Sequence, residues 1–176
     1  MKRNIFLIGF MGAGKSTISE YLNRTQGMPV IEMDEEIVRR EGMAIKDIFA
    51  QKGEEYFRNV ESQLLSDMKK EENVVVSCGG GVPMREKNVE LMRESGYIVL
   101  LSAKPEAVYE RVKDDDSRPL LNQNMSVEYI AQLMEKRRPK YEAAADITVD
   151  TSWRSVDDIC REILEKINDE TKKFRN

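Results

Sequence analysis

The sequence predicts a three-layer α/β/α fold whose central sheet has five mainly parallel strands. Short apolar runs alternate along the chain with segments of helical periodicity. Most of these runs are continuous, which is typical of strands that are covered on both faces. The first run ends in a glycine-rich segment that opens a helix. Ligands of such a sheet bind at the carboxyl ends of its strands.

The strands and helices can be placed from the apolar residues. The five predicted strands are residues 5–8, 30–31, 74–76, 98–101 and 147–149. A helix is expected from Lys15 to about Arg24, and apolar spacing indicates two more near residues 57–68 and 127–134. The last helix has the clearest apolar stripe, formed by Val156, Ile159, Cys160, Ile163, Leu164 and Ile167.

Two stretches depart from this alternation within what we expect to be a single domain of residues 1–176. Residues 33–62 carry helical patterns with no strand between them, which indicates an insertion after the second strand. Residues 112–125 include a polar, irregular run, residues 114–124, which is either a flexible connection or a lid. The charged tail from Asn168 to Asn176 is expected to fray.

The composition excludes several kinds of site. The chain has 176 residues, no histidine and two cysteines. Ser-His-Asp and Cys-His nucleophile systems therefore cannot form, and neither can the usual histidine-containing zinc sites. Any general base must be a carboxylate, a lysine, a tyrosine or a cysteine.

Charge and hydropathy restrict the partners. The chain has 28 Lys and Arg against 32 Asp and Glu, a net charge of −4. This balance argues against a broad nucleic-acid surface. No apolar run approaches the roughly 18 residues that span a bilayer, so no membrane partner is expected. Because Cys78 and Cys160 are too few for a disulfide framework, we expect a reducing cytoplasm.

A phosphate-binding motif follows the first predicted strand. Residues 9–16 read Gly-Phe-Met-Gly-Ala-Gly-Lys-Ser and match G-x-x-x-x-G-K-[ST]. Backbone N–H groups of such a loop surround phosphates at the positive end of the following helix. Lys15 would reach the β- and γ-phosphates, and Ser16 would hold Mg²⁺. The predicted nucleotide-binding residues here are Gly12, Ala13, Gly14, Lys15, Ser16 and Thr17.

This motif does not name the phosphoryl acceptor. The Asn-Lys-x-Asp and Asp-x-x-Gly motifs of GTPases are absent from the sequence, and a small-molecule kinase fits its length better. Three further motifs follow, namely Glu32-Met33-Asp34, the run from Gly53 to Glu61 that contains Phe57-Arg58, and Gly79-Gly80-Gly81. Taken singly, they are also typical of surface charge, an i, i+3 ion pair and a flexible turn.

Together and in this order, the motifs resemble those of the shikimate kinase family, within the nucleoside-monophosphate-kinase-like P-loop group. The resemblance covers about residues 4–167. It implies a P-loop kinase fold with a helical substrate-binding insertion and a lid. It also implies that ATP, with Mg²⁺, phosphorylates the 3-hydroxyl of shikimate in aromatic amino acid biosynthesis, and that the protein is a monomer.

The resemblance also implies an acceptor site. Its substrate-binding residues would be Asp34, Arg58, Gly79, Gly80, Gly81 and Arg137. Asp34 would bind shikimate hydroxyls and accept the reacting proton. Arg58 and Arg137 would bind the carboxylate, since a guanidinium matches a planar carboxylate, and Arg138 is an adjacent alternative to Arg137. Glu61 would hold Arg58 in place.

Four more residues are implied on the nucleotide side. Arg118, in Arg118-Pro119-Leu120-Leu121, would be a catalytic lid residue that neutralises charge on the transferring phosphoryl group. Arg111 would stack on the adenine, and Arg154 would flank it. Glu32 stands where the family usually has aspartate, and would hold the metal together with Ser16.

Two other functions compete with this interpretation. One is a kinase of another small hydroxylated acceptor, such as gluconate or a nucleoside monophosphate. The Phe-Arg-x-x-Glu and Gly-Gly-Gly motifs argue against it. The other is a catalytically silent nucleotide-binding module, which predicts the loss of at least one of Lys15, Asp34, Arg58 and Arg118, whereas all four are present.

Overall fold

A parallel five-stranded sheet forms the centre of the molecule. The computed structural model describes residues 4–114 and 126–173. Its strands are β1 (Asn4–Ile8), β2 (Val30–Glu32), β3 (Val75–Ser77), β4 (Gly96–Ser102) and β5 (Ile147–Asp150). Their order in the sheet is β2-β3-β1-β4-β5, and every neighbouring pair is parallel. The predicted five-stranded parallel sheet is confirmed.

The central strand β1 is buried along its whole length, as its continuous apolar sequence predicts. It pairs Leu7 with Ser77 of β3 on one side and with Val99 of β4 on the other. The edge strand β5 differs, because Ile147 and Val149 are buried while the residues between and after them are exposed. Only one face of β5 is covered, so its sequence alternates.

Helices fill the connections between the strands. In the described part of the chain they are α1 (Lys15–Gln26), α2 (Met33–Glu41), α3 (Ile45–Lys52), α4 (Glu54–Asp67), α5 (Glu86–Ser95), α6 (Pro105–Val112), α7 (Val127–Ala144) and α8 (Val156–Lys173). Two short 3₁₀ turns cover Met68–Lys70 and Val82–Met84. Residues 33–67 therefore contain three consecutive helices and no strand.

Two apolar cores lie on opposite faces of the sheet, which gives the three layers. Alternate residues of β1 point to opposite faces, so Phe6 and Ile8 join one core and Leu7 joins the other. The first core packs against the helices of residues 33–67 and against α7, and the second packs against α1 and α8. Each fully buried large apolar side chain contributes about 1.5–3 kcal/mol.

The end of α8 differs from the sequence expectation. The chain was expected to fray from Asn168, but the helix continues to Lys173. Thr171 explains the order, because its hydroxyl lies 2.9 Å from the hydroxyl of Tyr97 on β4. The expectation is therefore wrong for residues 168–173. Within residues 4–114 and 126–173, none of the helices has the length and apolar character needed to cross a bilayer.

Candidate active site

The predicted site residues lie beyond the carboxyl ends of the strands. The segment after β1 is the glycine-rich loop, β2 leads directly into α2, and β3 leads into Gly79-Gly80-Gly81. Because β3 and β1 are neighbours in the sheet, the loop and the three glycines are adjacent in space. This edge of the sheet is where parallel α/β folds bind their ligands.

The loop after β1 has the backbone of a phosphate cradle. Gly12 and Gly14 have φ values of 77° and 103°, which L side chains rarely adopt. A β-carbon on Gly12 would also lie 2.8 Å from Cγ1 of Val112, so α6 packs directly on the loop. The ammonium group of Lys15 donates to the carbonyl oxygens of Gly9, at 2.7 Å, and Phe10, at 3.2 Å. Its charge therefore lies along the loop.

Arg111 and Thr151 support this loop from behind. The Arg111 guanidinium donates to the carbonyl oxygen of Gly12 at 2.9 Å and to that of Thr151 at 2.5 Å. The Thr151 hydroxyl lies 2.8 Å from the carbonyl oxygen of Ala13. Burial lowers the pKa of Arg111, partly offset by Asp150. Thr151 is not among the predicted site residues, although its place two residues after the fifth predicted strand is a usable signal.

Arg154 lies in the loop that follows β5. One of its guanidinium nitrogens donates to the carbonyl oxygen of Asp150 at 2.9 Å and to the Glu162 carboxylate at 2.7 Å. Next to it, Trp153 is 66% exposed with φ at 49°, and the Lys104 ammonium lies 5.7 Å from its ring. Arg154 therefore fastens the loop to α8, and its predicted contact with adenine stays a prediction.

Ser19 contacts both the backbone of Ser16 and the carboxylate of Glu32. The hydroxyl of Ser19, fully buried on α1, lies 2.8 Å from the carbonyl oxygen of Ser16 and 3.2 Å from Oε1 of Glu32. Among the described residues, no group of three or more Cys, Asp or Glu side chains is arranged to bind a metal by itself. A hydroxyl, one carboxylate and phosphate oxygens are the donors that Mg²⁺ usually takes, so the pair fits this ion. Thr17, also in the first turn of α1, is exposed.

Asp34 lies in the first turn of α2 and faces the three glycines. A β-carbon on Gly79 would be 3.1 Å from Oδ1 of Asp34. Burial of its carboxyl raises the pKa of Asp34; the cation of Lys15 opposes this, Glu32 adds to it, and Arg58 opposes it. A buried carboxyl group with a raised proton affinity is suited to accept a proton from a neutral hydroxyl.

Arg58 and Glu61 form a pair on one face of α4. Arg58 Nη1 donates to Oε1 of Glu61 at 2.6 Å, and Glu61 is only 1% exposed. Burial raises the pKa of Glu61, although the hydrogen bond from Arg58 opposes this. Oε2 of Glu61 has no hydrogen-bond partner among the residues that the structure describes, and it lies 3.1 Å from the position of a β-carbon on Gly79. This buried oxygen is aimed at the same point as Asp34.

The two candidate arginines of α7 point in different directions. A β-carbon on Gly80 would lie 2.7 Å from Nη1 of Arg137. Tyr141, one turn later, donates from its hydroxyl to the carbonyl oxygen of Gly80 at 2.8 Å. Arg138 instead forms an ion pair with Glu135, and its side chain is 58% exposed. The i, i+4 spacing of Arg137 and Tyr141 was the available signal for the missed tyrosine.

The three glycines are the point where these groups converge. Asp34 and Glu61 lie against Gly79, Arg137 against Gly80 and Arg58 against Gly81, whose β-carbon would be 2.6 Å from the guanidinium carbon of Arg58. Side chains at these positions would therefore displace the charged groups. Arg118 lies outside the described residues, so its position relative to this cleft stays a prediction.

Cys78, directly before the glycines, is a buried free thiol. Its thiol is buried, and burial raises its pKa far above the usual value. Burial disfavours the thiolate, so Cys78 packs as a small apolar residue.

Comparisons with known proteins point to one family. A model of the shikimate kinase family matches residues 11–168. A shikimate kinase of Dehalococcoides mccartyi is 43% identical over 175 residues, covering 99% of this chain and 97% of that protein. Shikimate kinase from Acinetobacter baumannii, solved in complex with shikimate, superposes with a TM-score of 0.86 at 31% identity and covers 97% of this chain and 95% of that one. The Aquifex aeolicus enzyme gives a TM-score of 0.81 at 38% identity, covering 96% of this chain and 98% of its own.

Proposed function

The chain belongs to the shikimate kinase family, and we propose that the residues of its cleft divide between binding the acceptor and binding the nucleotide. The protein is an ATP- and Mg²⁺-dependent kinase that phosphorylates the 3-hydroxyl of shikimate, giving shikimate 3-phosphate and ADP in aromatic amino acid biosynthesis. The observation that carries the division is the convergence of Asp34, Arg58 and Arg137 on the three glycines.

Arg58 and Arg137 bind the carboxylate of shikimate. They approach neighbouring glycines from different helices, so a planar carboxylate between them receives donors from two sides. Glu61 fixes the guanidinium of Arg58 through its 2.6 Å hydrogen bond. Among the described residues, Nη2 of Arg58 forms an ion pair with the exposed Glu54 carboxylate, at 3.5 Å, and that nitrogen can turn to the substrate.

Asp34 orients the 3-hydroxyl and takes its proton as the phosphoryl group is transferred. The raised pKa of Asp34 brings its proton affinity closer to what a general base needs near neutral pH. Because the chain has no histidine, a carboxylate is the natural choice for this step. Phosphoryl transfer depends mainly on positioning and charge, so no covalent enzyme intermediate is required.

The loop after β1 and the start of α1 hold the phosphates. Backbone N–H groups of Gly12 and of residues 14–17 and the ammonium of Lys15 provide positive charge where the phosphoryl group is transferred, while the N–H of Ala13 donates to the carbonyl oxygen of Phe10 at 3.1 Å. Ser16 and Glu32 would hold Mg²⁺, which supplies charge neutralisation at the phosphate oxygens when bound. Arg118, outside the described residues, is proposed to add a further cation from the lid.

Arg111 and Arg154 are proposed to flank the adenine. Arg111 already joins the phosphate loop to the segment after β5, so it would place the base relative to the phosphates. We further propose that residues 33–62 act as the acceptor-binding insertion and residues 112–125 as the lid. The support is that Asp34, Arg58 and Glu61 all come from the first of these segments.

The charge and the cysteines of the chain bear on its partners and its compartment. We infer that it works as a monomer in the cytoplasm, on a small-molecule substrate and without nucleic acid or a membrane. The net charge of −4 supports the absence of a nucleic-acid partner. The buried free thiols of Cys78 and Cys160 agree with a reducing compartment.

A matched pair of variants tests the acceptor site. Arg137→Ala should raise the KM for shikimate by at least about tenfold, because it removes a charge-assisted hydrogen bond to the carboxylate. Arg138→Ala, which removes only an exposed ion pair, should leave the KM within about twofold. The methyl ester of shikimate should be a poor substrate for the wild type and should lose little further with Arg137→Ala. An equal loss in the two arginine variants would contradict the assignment.

A further inference from the structure

A buried polar network connects the helix of Arg58 to the segment that follows the three glycines. The Ser62 hydroxyl, on α4, donates to Oδ1 of Asn88 at 2.7 Å. The amide nitrogen of Asn88, on α5, donates to the carbonyl oxygen of Val82 at 2.9 Å. Asn88 is fully buried and Ser62 is 5% exposed. The carbonyl oxygen of Arg58 lies 3.1 Å from the Ser62 hydroxyl, at the other end of the network.

The chemistry of the partners fixes the orientation of the Asn88 amide. The carbonyl oxygen of Val82 can only accept a hydrogen bond, so the NH₂ group of Asn88 must face it. The opposite side of the amide is then an acceptor, which matches the hydroxyl of Ser62. A buried amide with both sides satisfied has one preferred geometry, because any displacement leaves a buried polar group without a partner.

Each end of this network lies next to residues of the acceptor site. Val82 directly follows Gly81, and its N–H donates back to the carbonyl oxygen of Gly79 at 3.1 Å. Ser62 lies one helical turn after Arg58 on α4. The distance between Gly81 and the guanidinium of Arg58 therefore depends on how α4 is held against the segment after the glycines.

A second connection crosses the same boundary at the surface. Arg85 donates to the side chain of Asn59 at 2.9 Å and forms an ion pair with Glu55 at 2.8 Å. The Glu55 side chain is 81% exposed, so this link is screened by solvent and contributes little. The buried bonds of Asn88 are therefore the firmer connection between α4 and the glycines.

We propose that Asn88 is a positioning residue for the acceptor site, which sets the separation between Arg58 and Gly81 through Ser62 and Val82. It touches neither substrate and acts only through Arg58 and the three glycines. This proposal rests on the proposed function, because it gives those residues the task of binding the shikimate carboxylate. It predicts that a change at Asn88 affects the acceptor and leaves the nucleotide site unchanged.

The chain offers a matched control in Asn4. Asn4 is also buried, donates to a backbone carbonyl, that of Glu71, at 2.8 Å, and accepts from the N–H of Val74 at 3.1 Å. It lies at the start of β1, at the end of the sheet opposite the cleft. Asn88→Asp and Asn4→Asp each keep the shape and the acceptor but remove the donor, so both should lower the melting temperature.

The test compares the steady-state constants of the two variants. Asn88→Asp should raise the KM for shikimate about tenfold and leave the KM for ATP within about twofold, since small displacements of a binding group are costly. Asn4→Asp should leave both constants within about twofold of the wild type. An unchanged shikimate KM in Asn88→Asp, or an equal rise in both variants, would overturn the proposal. If Asn88→Asp does not fold, Ser62→Ala decides by the same criteria, because it breaks the network on the α4 side.

Hydrogen exchange separates this proposal from the proposed function. Each variant is measured the same number of degrees below its own melting temperature. Under this condition the amides of residues 79–82 should exchange faster in Asn88→Asp than in Asn4→Asp. Equal exchange in the two variants overturns the positioning role. This comparison needs no substrate, so it decides the role of Asn88 independently of the reaction. Failure of the wild type to release ADP with shikimate would refute the proposed function and not the positioning role.

Discussion

Replacing Gly81 by alanine should damage acceptor binding without damaging the fold. The backbone of Gly81 has φ −89° and ψ −7°, which alanine can adopt. The backbone contribution alone would stabilise the protein by about 0.4–1 kcal/mol, because alanine has less freedom in the unfolded chain, and the displacement of Arg58 opposes it. The added methyl group, however, would lie 2.6 Å from the guanidinium carbon of Arg58.

The size of the effect follows from how far Arg58 must move. Carbon atoms in contact are about 3.5–4.0 Å apart, so the guanidinium has to shift by about 1 Å. It cannot turn aside freely, because Glu61, which is almost fully buried, holds Nη1 at 2.6 Å. A misplacement of about 1 Å can cost about 10²-fold, which corresponds to about 2.7 kcal/mol of transition-state stabilisation.

The assay is kcat/KM for shikimate together with thermal unfolding. Gly81→Ala should lose about 100-fold in kcat/KM for shikimate, with a melting temperature close to that of the wild type. The loss should be much smaller when Gly81→Ala is added to Arg58→Ala, since the collision then no longer exists. A variant with a normal shikimate KM, or one whose loss is the same in both backgrounds, would refute the reasoning.

Three further predictions concern the nucleotide and the proton. Lys15→Ala should lower kcat by about 10²–10³, because it removes charge stabilisation at the phosphoryl group; a rate near that of the wild type contradicts this. Thr151→Val should raise the KM for ATP and not that for shikimate, because it releases Ala13 from its support. Because the pKa of Asp34 is raised, its carboxylate becomes protonated at a higher pH than that of an ordinary aspartate. Activity should therefore begin to fall at a correspondingly higher pH as the solution is acidified. A pH profile of kcat/KM flat down to pH about 4 would contradict that role.

Local sequence signals were sufficient for the sheet and for the phosphate loop. The strands β1 and β3 are short continuous apolar runs, and their burial follows directly from that pattern. The loop of residues 9–16 is recognisable because its glycines, lysine and serine act within one contiguous segment. Both features depend on neighbours along the chain, which is the information that a sequence displays directly.

Features that depend on distant partners could not be predicted. Thr151 contacts Ala13 of the loop, from which it is separated by 138 positions in the sequence, and Ser62 contacts Asn88, from which it is separated by 26. Neither residue type signals such a contact. The choice between Arg137 and Arg138 depends on the rotation of α7, which shows only in the contacts of each side chain.

The most direct test of the central claim is ADP release with a panel of acceptors, with the phosphorylated product identified by NMR. Shikimate, gluconate and nucleoside monophosphates should be compared at equal concentration with ATP and Mg²⁺. The arrangement of Asp34, Arg58 and Arg137 on the three glycines predicts turnover with shikimate, phosphorylated at the 3-hydroxyl, and little with the other acceptors. Turnover only with another acceptor, or nucleotide binding without transfer to shikimate, would contradict it.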